Sequence, residues 1–367
     1  MLVSPAFGGD VAAPTLREAA GHRLLIGTAL SAANLDDPAL TQLVATQFDC
    51  LTATNAMKPM HLQAVHGTFT FEAADRLVAF AHAHDMQMIG HTLCWHQQSP
   101  AWLFKDERGR PLPREVALAN LKEHIQAVVK HFAGKVKGWD VVNEALSESP
   151  GPDLRDTPAR RAIGDDYVVK AFEYAHEADP NVELYYNDFN IEQSFKRERA
   201  LRLIQQIRAA GLPVNGVGIQ GHWLLDSPDM SEIEAGVRAF ADAGLNVSIT
   251  ELDIDPCPRR HGTAGADLDA QEQSGMDPYK QGLPDEVQHQ LAKRYAELFA
   301  MLLKYPQVKR VTFWGATDGD SWLNNWPVRG RTNHPLLWDR QCQPKPALAA
   351  VLQALQSKSV AGADLAK

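Results

Sequence analysis

Two glutamates stand near the ends of apolar runs, where a segment built for a protein core has no use for a carboxylate. Glu144 lies in GWDVVNEA at residues 138–145, directly after Asn143, and Glu251 lies in ITELD at residues 249–253. An unpartnered buried carboxylate costs several kcal/mol, so each glutamate must be compensated or must have a use. One interpretation is structural, with both glutamates in salt bridges.

A second interpretation is catalytic, because other runs also end in polar, ionisable or aromatic residues, among them Asn187 and His222. Two carboxylates facing each other across a cleft hydrolyse glycosidic bonds: one protonates the leaving oxygen, and the other attacks the anomeric carbon or activates water. Carboxyl groups about 5–5.5 Å apart give retention of configuration, and a separation of about 6.5–9.5 Å gives inversion. A sequence holds no distance, so the residues alone leave both outcomes open.

The runs that carry these residues have the composition of β-strands, being short and rich in Val, Ile, Leu and Thr. Eight strands are predicted, at residues 24–30, 50–55, 87–93, 136–144, 183–190, 216–222, 246–253 and 310–316. Segments with apolar residues at helical spacing separate them, which indicates helices packed on a core. Seven helices are predicted, at residues 38–46, 71–84, 115–132, 165–178, 194–210, 231–243 and 285–305.

The alternation of strands and helices predicts an α/β protein, a single-domain (β/α)8 TIM barrel. Active sites of such barrels lie on the loops that follow the strands, which is where both glutamates stand. The loop after the seventh strand, at residues 255–284, is too long for a plain connection and should overhang the barrel mouth. The chain is thus divided into an N-terminal extension at 1–20, the barrel at 21–356 and a tail at 357–367.

Composition narrows the partners and the location. The 367 residues carry a formal net charge of −9, which argues against a nucleic acid because such partners need clustered Lys and Arg. No stretch approaches the roughly 20 apolar residues of a membrane-spanning helix. The N-terminus lacks the features of a signal peptide. We expect an extracellular or periplasmic protein if a signal has been removed, and a cytoplasmic one otherwise, and we expect a monomer.

The sequence contains no pattern that indicates a metal or a cofactor. Four cysteines lie far apart in no C-x-x-C spacing: Cys50, Cys94, Cys257 and Cys342. They predict neither a zinc site nor a disulfide framework, and free thiols or one pair remain open. The histidines show no H-E-x-x-H spacing, and no glycine-rich phosphate motif follows a strand. We therefore predict no metal and no cofactor.

Six segments of the chain resemble glycoside hydrolase family 10, the endo-β-1,4-xylanases. They are HTLCWH at 91–96 with Gln98, WDVVNEA at 139–145, YNDFN at 186–190, GIQGH at 218–222, ITELD at 249–253, and TFWG at 312–315 followed by DSW at 320–322. The segments stand in the family's order and extend over nearly the whole predicted barrel. The resemblance implies a retaining endo-β-1,4-xylanase that hydrolyses internal bonds of xylan or xylo-oligosaccharides by double displacement.

The same resemblance implies residue roles. Glu144 would be the general acid and then the base, and Glu251 the nucleophile, whose negative charge raises the pKa of Glu144. Four residues would support them: His222 and Asp253 by fixing Glu251, Asn143 by binding the sugar 2-hydroxyl, and Asn187 by contacting Glu144 or the leaving side. The substrate-binding set would be Asn55, Lys58, His91, Trp95, Gln98, Gln220, Trp314 and Trp322.

The second strand departs from the family's pattern Glu-Asn-x-Met-Lys-Trp. Thr54 stands in place of the glutamate and Pro59 in place of the tryptophan. We therefore expect the hydrogen bond from this position to the second glycone sugar to be lost, and binding there to be weaker or suited to a decorated or shorter chain.

Three other functions are weighed against a xylanase. A related barrel hydrolase would act on β-1,4-glucan or mixed-linkage glucan, which depends on room for an exocyclic hydroxymethyl group near Trp314 and Trp322. A barrel that binds polysaccharide or protein without turnover would not need a matched acid and nucleophile. A phosphate-handling barrel would want a glycine-rich loop after the seventh or eighth strand, and these strands end instead in Glu and Trp.

Overall fold

A parallel β-sheet closes on itself in the computed structural model, which describes residues 13–259 and 277–357. Its strands are β1 (Leu25–Leu30), β2 (Cys50–Ala53), β3 (Gln87–Trp95), β4 (Gly138–Asn143), β5 (Glu183–Asp188), β6 (Gly216–Ile219), β7 (His222–Leu224), β8 (Asn246–Asp255) and β9 (Val308–Phe313). β1 pairs in parallel with both β2 and β9, which completes the ring. The predicted (β/α)8 barrel is confirmed.

Two short segments share one position in the barrel. β6 and β7 both pair in parallel with β8, β6 with its first half and β7 with its last residues. Only Gln220 and Gly221 separate them, and Gly221 has φ +82°, a left-handed conformation that glycine adopts without steric cost. β6 and β7 are therefore one barrel strand with a break near the mouth, and Gln220 and His222 stand at that break.

Helices form the outer layer. They are α1 (Leu16–Ala20), α2 (Pro38–Gln47), α3 (Pro59–Leu62), α4 (Glu72–Ala83), α5 (Arg114–His131), α6 (Pro158–Ile163), α7 (Tyr167–Ala178), α8 (Ser194–Ala209), α9 (Met230–Asp242), α10 (Asp285–Leu302) and α11 (Pro346–Gln356). The seven predicted helices are present with ends shifted by up to three residues. α1, α3, α6 and α11 were not predicted, and α11 is the helix that follows the last barrel strand.

Trp139 packs on the helix-facing side of the sheet, where its ring centre lies 5.9 Å from that of Phe132 at the end of α5. Trp139 of β4 is fully buried and lies against Gly90 of β3. A Cβ atom built on Gly90 would lie 2.2 Å from Trp139 Cε3, closer than any real contact, so glycine is the residue that fits beside this ring. This pair packs the two strands that lead to the site described below.

The short helix α1 packs against α11, β1 and α2. Thr15 and Glu18 form a capping box at the start of α1, and Leu16 is fully buried in the main core.

The predicted overhanging loop at 255–284 is described only up to residue 259 and from residue 277, and the rest of it lies outside the described residues. Of the predicted tail, residue 357 alone is described. Within the two described ranges, no helix has both the length and the apolarity needed to span a bilayer.

Candidate active site

Glu144 follows the last residue of β4 in an unusual backbone conformation. Its φ is +56°, a region that residues other than Gly, Asn and Asp rarely adopt, and one that is concentrated at functional sites. Its backbone N–H donates to the carbonyl oxygen of Asn187 on the neighbouring strand β5, at 2.9 Å. The strand ladder thus continues to Glu144 while the chain direction turns there.

Three donors hold the Glu144 carboxyl group. Oε1 accepts from Gln220 Nε2 at 2.9 Å and from Asn143 Nδ2 at 3.1 Å, and Oε2 accepts from the Trp95 indole N–H at 2.9 Å. Only 5% of the residue is exposed. Burial raises the pKa of Glu144 to about 7 and the charges of Asp188 and Glu251 push the same way, against the hydrogen bonds. Glu144 therefore keeps its proton up to about neutral pH.

Glu251, in β8, is equally buried but has different partners. Asn187 Nδ2 donates to its Oε1 at 2.8 Å, and His222 Nε2 lies 3.2 Å from its Oε2. Burial alone would raise its pKa, but the hydrogen bond from His222, the nearby His91 and the bond from Asn187 together hold the pKa of Glu251 below its usual value of 4.5. Near neutral pH, Glu251 is therefore ionised while Glu144 still carries its proton.

Two carboxylates keep the His222 imidazole protonated. Its Nδ1 lies 3.0 Å from Asp253 Oδ2, on the side opposite Glu251. Although burial disfavours the charged imidazole, Asp253 and Glu251 raise the pKa of His222 to about 9. Trp322 donates its indole N–H to the same Asp253 oxygen at 2.7 Å. The His222 imidazolium therefore lies between Asp253 and Glu251 and stabilises the negative charge of Glu251.

A chain of side-chain amides connects the two glutamates. Asn187 donates both to Glu251 and to Asn143 Oδ1, the latter at 2.9 Å. Asn143 and Gln220 in turn donate to Glu144. The predicted contact of Asn187 thus goes to Glu251, while its backbone carbonyl meets Glu144. These amides keep the two carboxyl groups in a fixed relation to each other.

Polar and aromatic side chains from the β2 and β3 sides adjoin the carboxylates. Lys58 Nζ donates to Asn55 Oδ1 at 3.0 Å and lies 4.8 Å from the centre of the Trp95 ring. Burial lowers the pKa of Lys58 to about 8, although Glu251 and Glu144 favour its charged form. Gln98, at φ +41°, accepts with its Oε1 from His61 Nε2 at 3.3 Å, so it stands at the outer edge of this group.

Two predicted aromatic walls lie over His222. Trp322 is tilted against the imidazole with ring centres 4.8 Å apart, and it stacks on Trp326 at 4.5 Å. Trp314 meets both His91 and His222 edge-on, at 5.6 and 6.3 Å. Of the eight predicted binding residues, His91 and Trp95 lie on β3, Gln220 and Trp314 directly follow strands, and Asn55, Lys58, Gln98 and Trp322 lie outside the strands.

Three residues of the site escaped sequence reasoning. Asp140 lies 2.9 Å from His91 Nδ1 and orients that imidazole. Thr250 donates to Asn187 Oδ1 at 2.6 Å, which fixes the amide that bonds Glu251. Asp188 is fully buried and pairs with Lys196 of α8. Each is a polar residue within a predicted strand, and that placement was the signal available.

The departure at the second strand leaves a polar atom without a partner. Thr54 Oγ1 is buried and has no hydrogen-bond partner in the structure, and Pro59 is the first residue of α3. The side chain at this position is therefore a buried hydroxyl, where the family's pattern has a glutamate.

A cavity of about 810 Å³ adjoins His222 on the side of the loops that follow β5, β7 and β8. Asn190 and Gln193 line it from one side, and Arg259 and Tyr279 from the other. Asn55 and Lys58, after β2, lie across the barrel from it. The carboxylates thus stand between a polar cluster and an open cavity, as a cleft for a chain would require.

The described residues include no group of three or more His, Cys, Asp or Glu side chains arranged to hold a metal ion. All four cysteines are free, three of them buried and Cys342 partly exposed. What the site does offer is a protonated and an ionised carboxyl group, joined by amides and bordered by indole rings. That combination suits protonation of a leaving group together with attack by a carboxylate.

Comparison with known proteins gives a consistent result. The profile of Glycosyl hydrolase family 10 matches residues 15–354. Endo-1,4-beta-xylanase A of Xylanibacter ruminicola is 38% identical over 345 residues, which cover 93% of this chain and 93% of that protein. Endo-1,4-beta-xylanase of Geobacillus stearothermophilus is 38% identical over 344 residues, 92% of this chain and 98% of that one.

Solved structures agree with the sequence relatives. A GH10 endoxylanase retrieved from a sugarcane soil metagenome superposes with a TM-score of 0.88 at 38% identity, and the match covers 92% of this chain and 99% of that chain. A match at this identity and coverage extends over the barrel as a whole.

Proposed function

This chain belongs to glycosyl hydrolase family 10, and from that premise we propose that it is an endo-β-1,4-xylanase. It hydrolyses internal xylosidic bonds of xylan or xylo-oligosaccharides and retains the anomeric configuration through a double displacement. The observation that carries the proposal is the unequal pair of glutamates: burial raises the pKa of Glu144 to about 7, whereas His222 and Asn187 hold the pKa of Glu251 below its usual value.

In the first half of the reaction, Glu251 attacks the anomeric carbon while Glu144 gives its proton to the glycosidic oxygen. The leaving sugar departs with that proton, and a glycosyl ester forms on Glu251. Positive charge on His222 favours the ionised nucleophile beforehand. Because the bond to Glu251 removes its negative charge, the pKa of Glu144 falls at that moment.

In the second half, the ionised Glu144 takes a proton from water, and the water oxygen attacks the anomeric carbon from the face that the leaving group vacated. The ester bond breaks, Glu251 recovers its charge and Glu144 recovers its proton. Two inversions at one carbon give net retention.

The remaining predicted residues have proposed roles in holding the sugar chain. We assign Asn55, Lys58, His91 and Gln98 to the hydroxyls of the glycone part, and Gln220 to the sugar at the scissile bond. Asn143, which already donates to Glu144, would meet the 2-hydroxyl. Trp95, Trp314 and Trp322 offer ring faces and edges, which suit the apolar face of a pyranose. The cavity beside His222 would take the leaving part of the chain.

Three proposals concern the whole protein. Since xylan is a polymer too large to enter a cell, we propose an extracellular or periplasmic enzyme, with a cytoplasmic enzyme for imported oligosaccharides as the alternative. We propose a monomer. We also propose that the barrel domain begins near Thr15 rather than at residue 21, because Leu16 is buried in its core.

The test is to incubate the wild-type protein and Glu251→Ala with glucuronoxylan, arabinoxylan, xylo-oligosaccharides and mixed-linkage glucan, and to follow fragment sizes over time. We expect mid-length fragments early from xylan, and a rate for Glu251→Ala that is lower by about 10²–10⁴-fold or more. Glu115→Ala, at an exposed position in α5, is the matched control and should keep the wild-type rate.

Each other outcome has a clear meaning. Activity of Glu251→Ala within about tenfold of wild type would overturn its role as nucleophile, since a covalent intermediate could not form without it. Faster cleavage of mixed-linkage glucan than of any xylan would replace the proposed substrate. Absence of turnover on every substrate would favour a barrel that only binds polysaccharide.

A further inference from the structure

The backbone that follows β4 is attached to β5 by three consecutive hydrogen bonds. The N–H groups of Glu144, Ala145 and Leu146 donate in order to Asn187 O at 2.9 Å, to the Tyr186 hydroxyl at 3.0 Å and to Asp188 Oδ2 at 3.4 Å. One strand therefore holds the left-handed residue Glu144 and the two residues after it. Two of the three acceptors are side chains, which the sheet itself did not require.

Asp188 is the centre of this arrangement. It is fully buried, and its Oδ1 accepts from Lys196 Nζ at 2.8 Å and from the N–H of Phe189 at 2.9 Å. Its Oδ2 accepts from the Tyr186 hydroxyl, which thereby joins Asp188 to Ala145. Each carboxylate oxygen of Asp188 thus accepts two hydrogen bonds.

Lys196 of α8 is itself fully buried and has two carboxylate partners, Asp188 and Glu148. Its Nζ also lies 3.8 Å from the centre of the Phe189 ring. Glu148 stands on the same loop as Glu144, four residues further on, and its other oxygen accepts from Asn190 at 3.2 Å. The lysine therefore joins a helix, a strand end and the loop that carries Glu144.

Such a buried cluster has a cost that a purely structural role explains poorly. Removing two carboxylates and an ammonium from water is expensive, and apolar residues of the same size often stabilise a fold at least as well. With all three groups ionised the cluster has a net negative charge next to the loop that carries Glu144. Burial raises the pKa of Asp188, and the charge and hydrogen bond of Lys196 act against that rise and favour the ionised form. Besides Asp188, the ionisable groups that face Glu144 are Glu251 from β8 and Lys58 from the loop after β2.

We propose that Asp188, paired with Lys196 and Glu148, is a positioning residue for Glu144 that fixes its backbone and keeps a negative charge behind its carboxyl. This inference rests on the proposed role of Glu144 as acid and base. The direction of the electrostatic influence agrees, because after burial the charge of Asp188 contributes most to the raised pKa of Glu144. Asp188 would thereby help to keep the acid protonated at the pH of catalysis.

The first test is the pH dependence of kcat/KM on xylan for Asp188→Asn. The amide keeps the size of the side chain but removes its charge, so Glu144 should lose its proton more easily. On the high-pH limb of the profile, where kcat/KM falls because Glu144 loses its proton, we expect the fall to occur about one pH unit lower. Glu148→Gln, at a partly exposed loop position, should move the limb in the same direction by less, and it covers the case in which Asp188→Asn does not fold.

A matched control is available on the far side of the barrel mouth. Asp318 is also fully buried and pairs with Lys345 at 2.8 Å. Asp318→Asn should lower the melting temperature without moving the high-pH limb. Tyr186→Phe removes the hydroxyl between Asp188 and Ala145 but no charge, and should lower kcat while the limb stays in place.

A second readout separates the acid from general damage. An aryl xylobioside with a strongly acidic phenol as leaving group does not need a proton from Glu144. Its kcat/KM should therefore stay near the wild-type value in Asp188→Asn at neutral pH, while kcat/KM on xylan falls several-fold. Equal losses on both substrates, or a limb that moves in neither Asp188→Asn nor Glu148→Gln, would overturn the inference. Failure of the wild type to cleave xylan would instead overturn the proposed function.

Discussion

Glu144 and Glu251 are the same residue type, equally buried, and yet their pKa values move in opposite directions. The difference lies in the partners. Glu144 receives only neutral N–H donors and faces the negative charges of Asp188 and Glu251, whereas Glu251 is bonded to the charged His222. Neutral donors do not outweigh the loss of water around a carboxylate, but a paired imidazolium does. The chemical role of each glutamate thus follows from which neighbours the strands supply.

The pH profile of the enzyme follows from these two directions. Glu144 must be protonated to act as an acid, so kcat/KM on xylan should fall as pH rises through about 7. Glu251 must be ionised, and because its pKa is lowered from 4.5, activity should fall on the acid side only at pH values below that figure. Initial rates from pH 3 to 10 measure both limbs. A rate that still increases above pH 8 would contradict the role of Glu144 as acid.

Trp95 offers a sharper test of what sets the high-pH limb. Its indole N–H donates to Glu144 Oε2, and this bond favours the ionised form of the carboxyl. Trp95→Phe should therefore raise the pKa of Glu144 and move the limb up by about half a pH unit, with a higher KM. Trp102→Phe removes an indole N–H that bonds the Gln63 carbonyl instead, and should leave the limb unchanged. A downward movement in Trp95→Phe would refute the assignment.

Sequence reasoning at this scale found residues that stand at strand ends and missed residues that act through another side chain. Glu144, Glu251 and His222 could be named because a charged group at the end of an apolar run needs an explanation. Asp140 and Thr250 could not, because their partners His91 and Asn187 come from other strands. Such pairs depend on how neighbouring strands register, and that register is fixed by the closed barrel.

At the scale of elements, the strands were predicted more completely than the helices. All eight predicted barrel strands are present, since each combines β-branched residues with a polar end. α11 was missed although Leu348, Val351 and Leu355 are buried on one side of it. Its other two buried positions are alanines, as are two of the four buried positions of α4. In the fold α11 packs against α1 and α10.

The contact between β3 and β4 gives a prediction at this scale. In Gly90→Ala the new Cβ would lie 2.2 Å from the Trp139 ring, so the ring or a strand must shift. We expect a loss of about 2–4 kcal/mol in the free energy of unfolding, seen as a lower melting temperature. In Gly319→Ala the nearest atom is a threonine hydroxyl at 3.3 Å, and the loss should be much smaller. Equal melting temperatures for the two variants would show that the packing between Trp139 and β3 can adjust without loss of stability.

At the scale of the whole molecule, the raised pKa of Glu144 makes stability depend on pH. Between about pH 4.5 and 7 the folded protein holds a proton on Glu144 that the unfolded chain has released. The free energy of unfolding therefore falls as pH rises through this window, by about 3 kcal/mol from this group alone. The acid that the reaction needs is thus a source of instability at neutral pH.

Glu144→Gln should remove that dependence, because an amide does not ionise. The melting temperature of the variant relative to wild type should increase between pH 4 and pH 8, by roughly a few °C, whatever its offset at pH 4. Differential scanning calorimetry at several pH values measures the difference. Glu115→Gln, on the surface of α5, should show a constant difference. A flat difference for Glu144→Gln would mean that Glu144 ionises in the folded state as easily as in the unfolded chain.

The two glutamates and the amides between them belong to strands or to the residues directly after them, whereas Asn55, Lys58, Gln98, Asn190 and Arg259 belong to loops. Hydrogen bonds across the closed sheet fix the first group, and the second can change without disturbing it. Over evolutionary time, insertions and exchanges in the loops can adapt such an enzyme to a new plant polymer while its chemistry is inherited intact. For the same reason, loops grafted from a relative with a different substrate specificity should leave the catalytic residues in place.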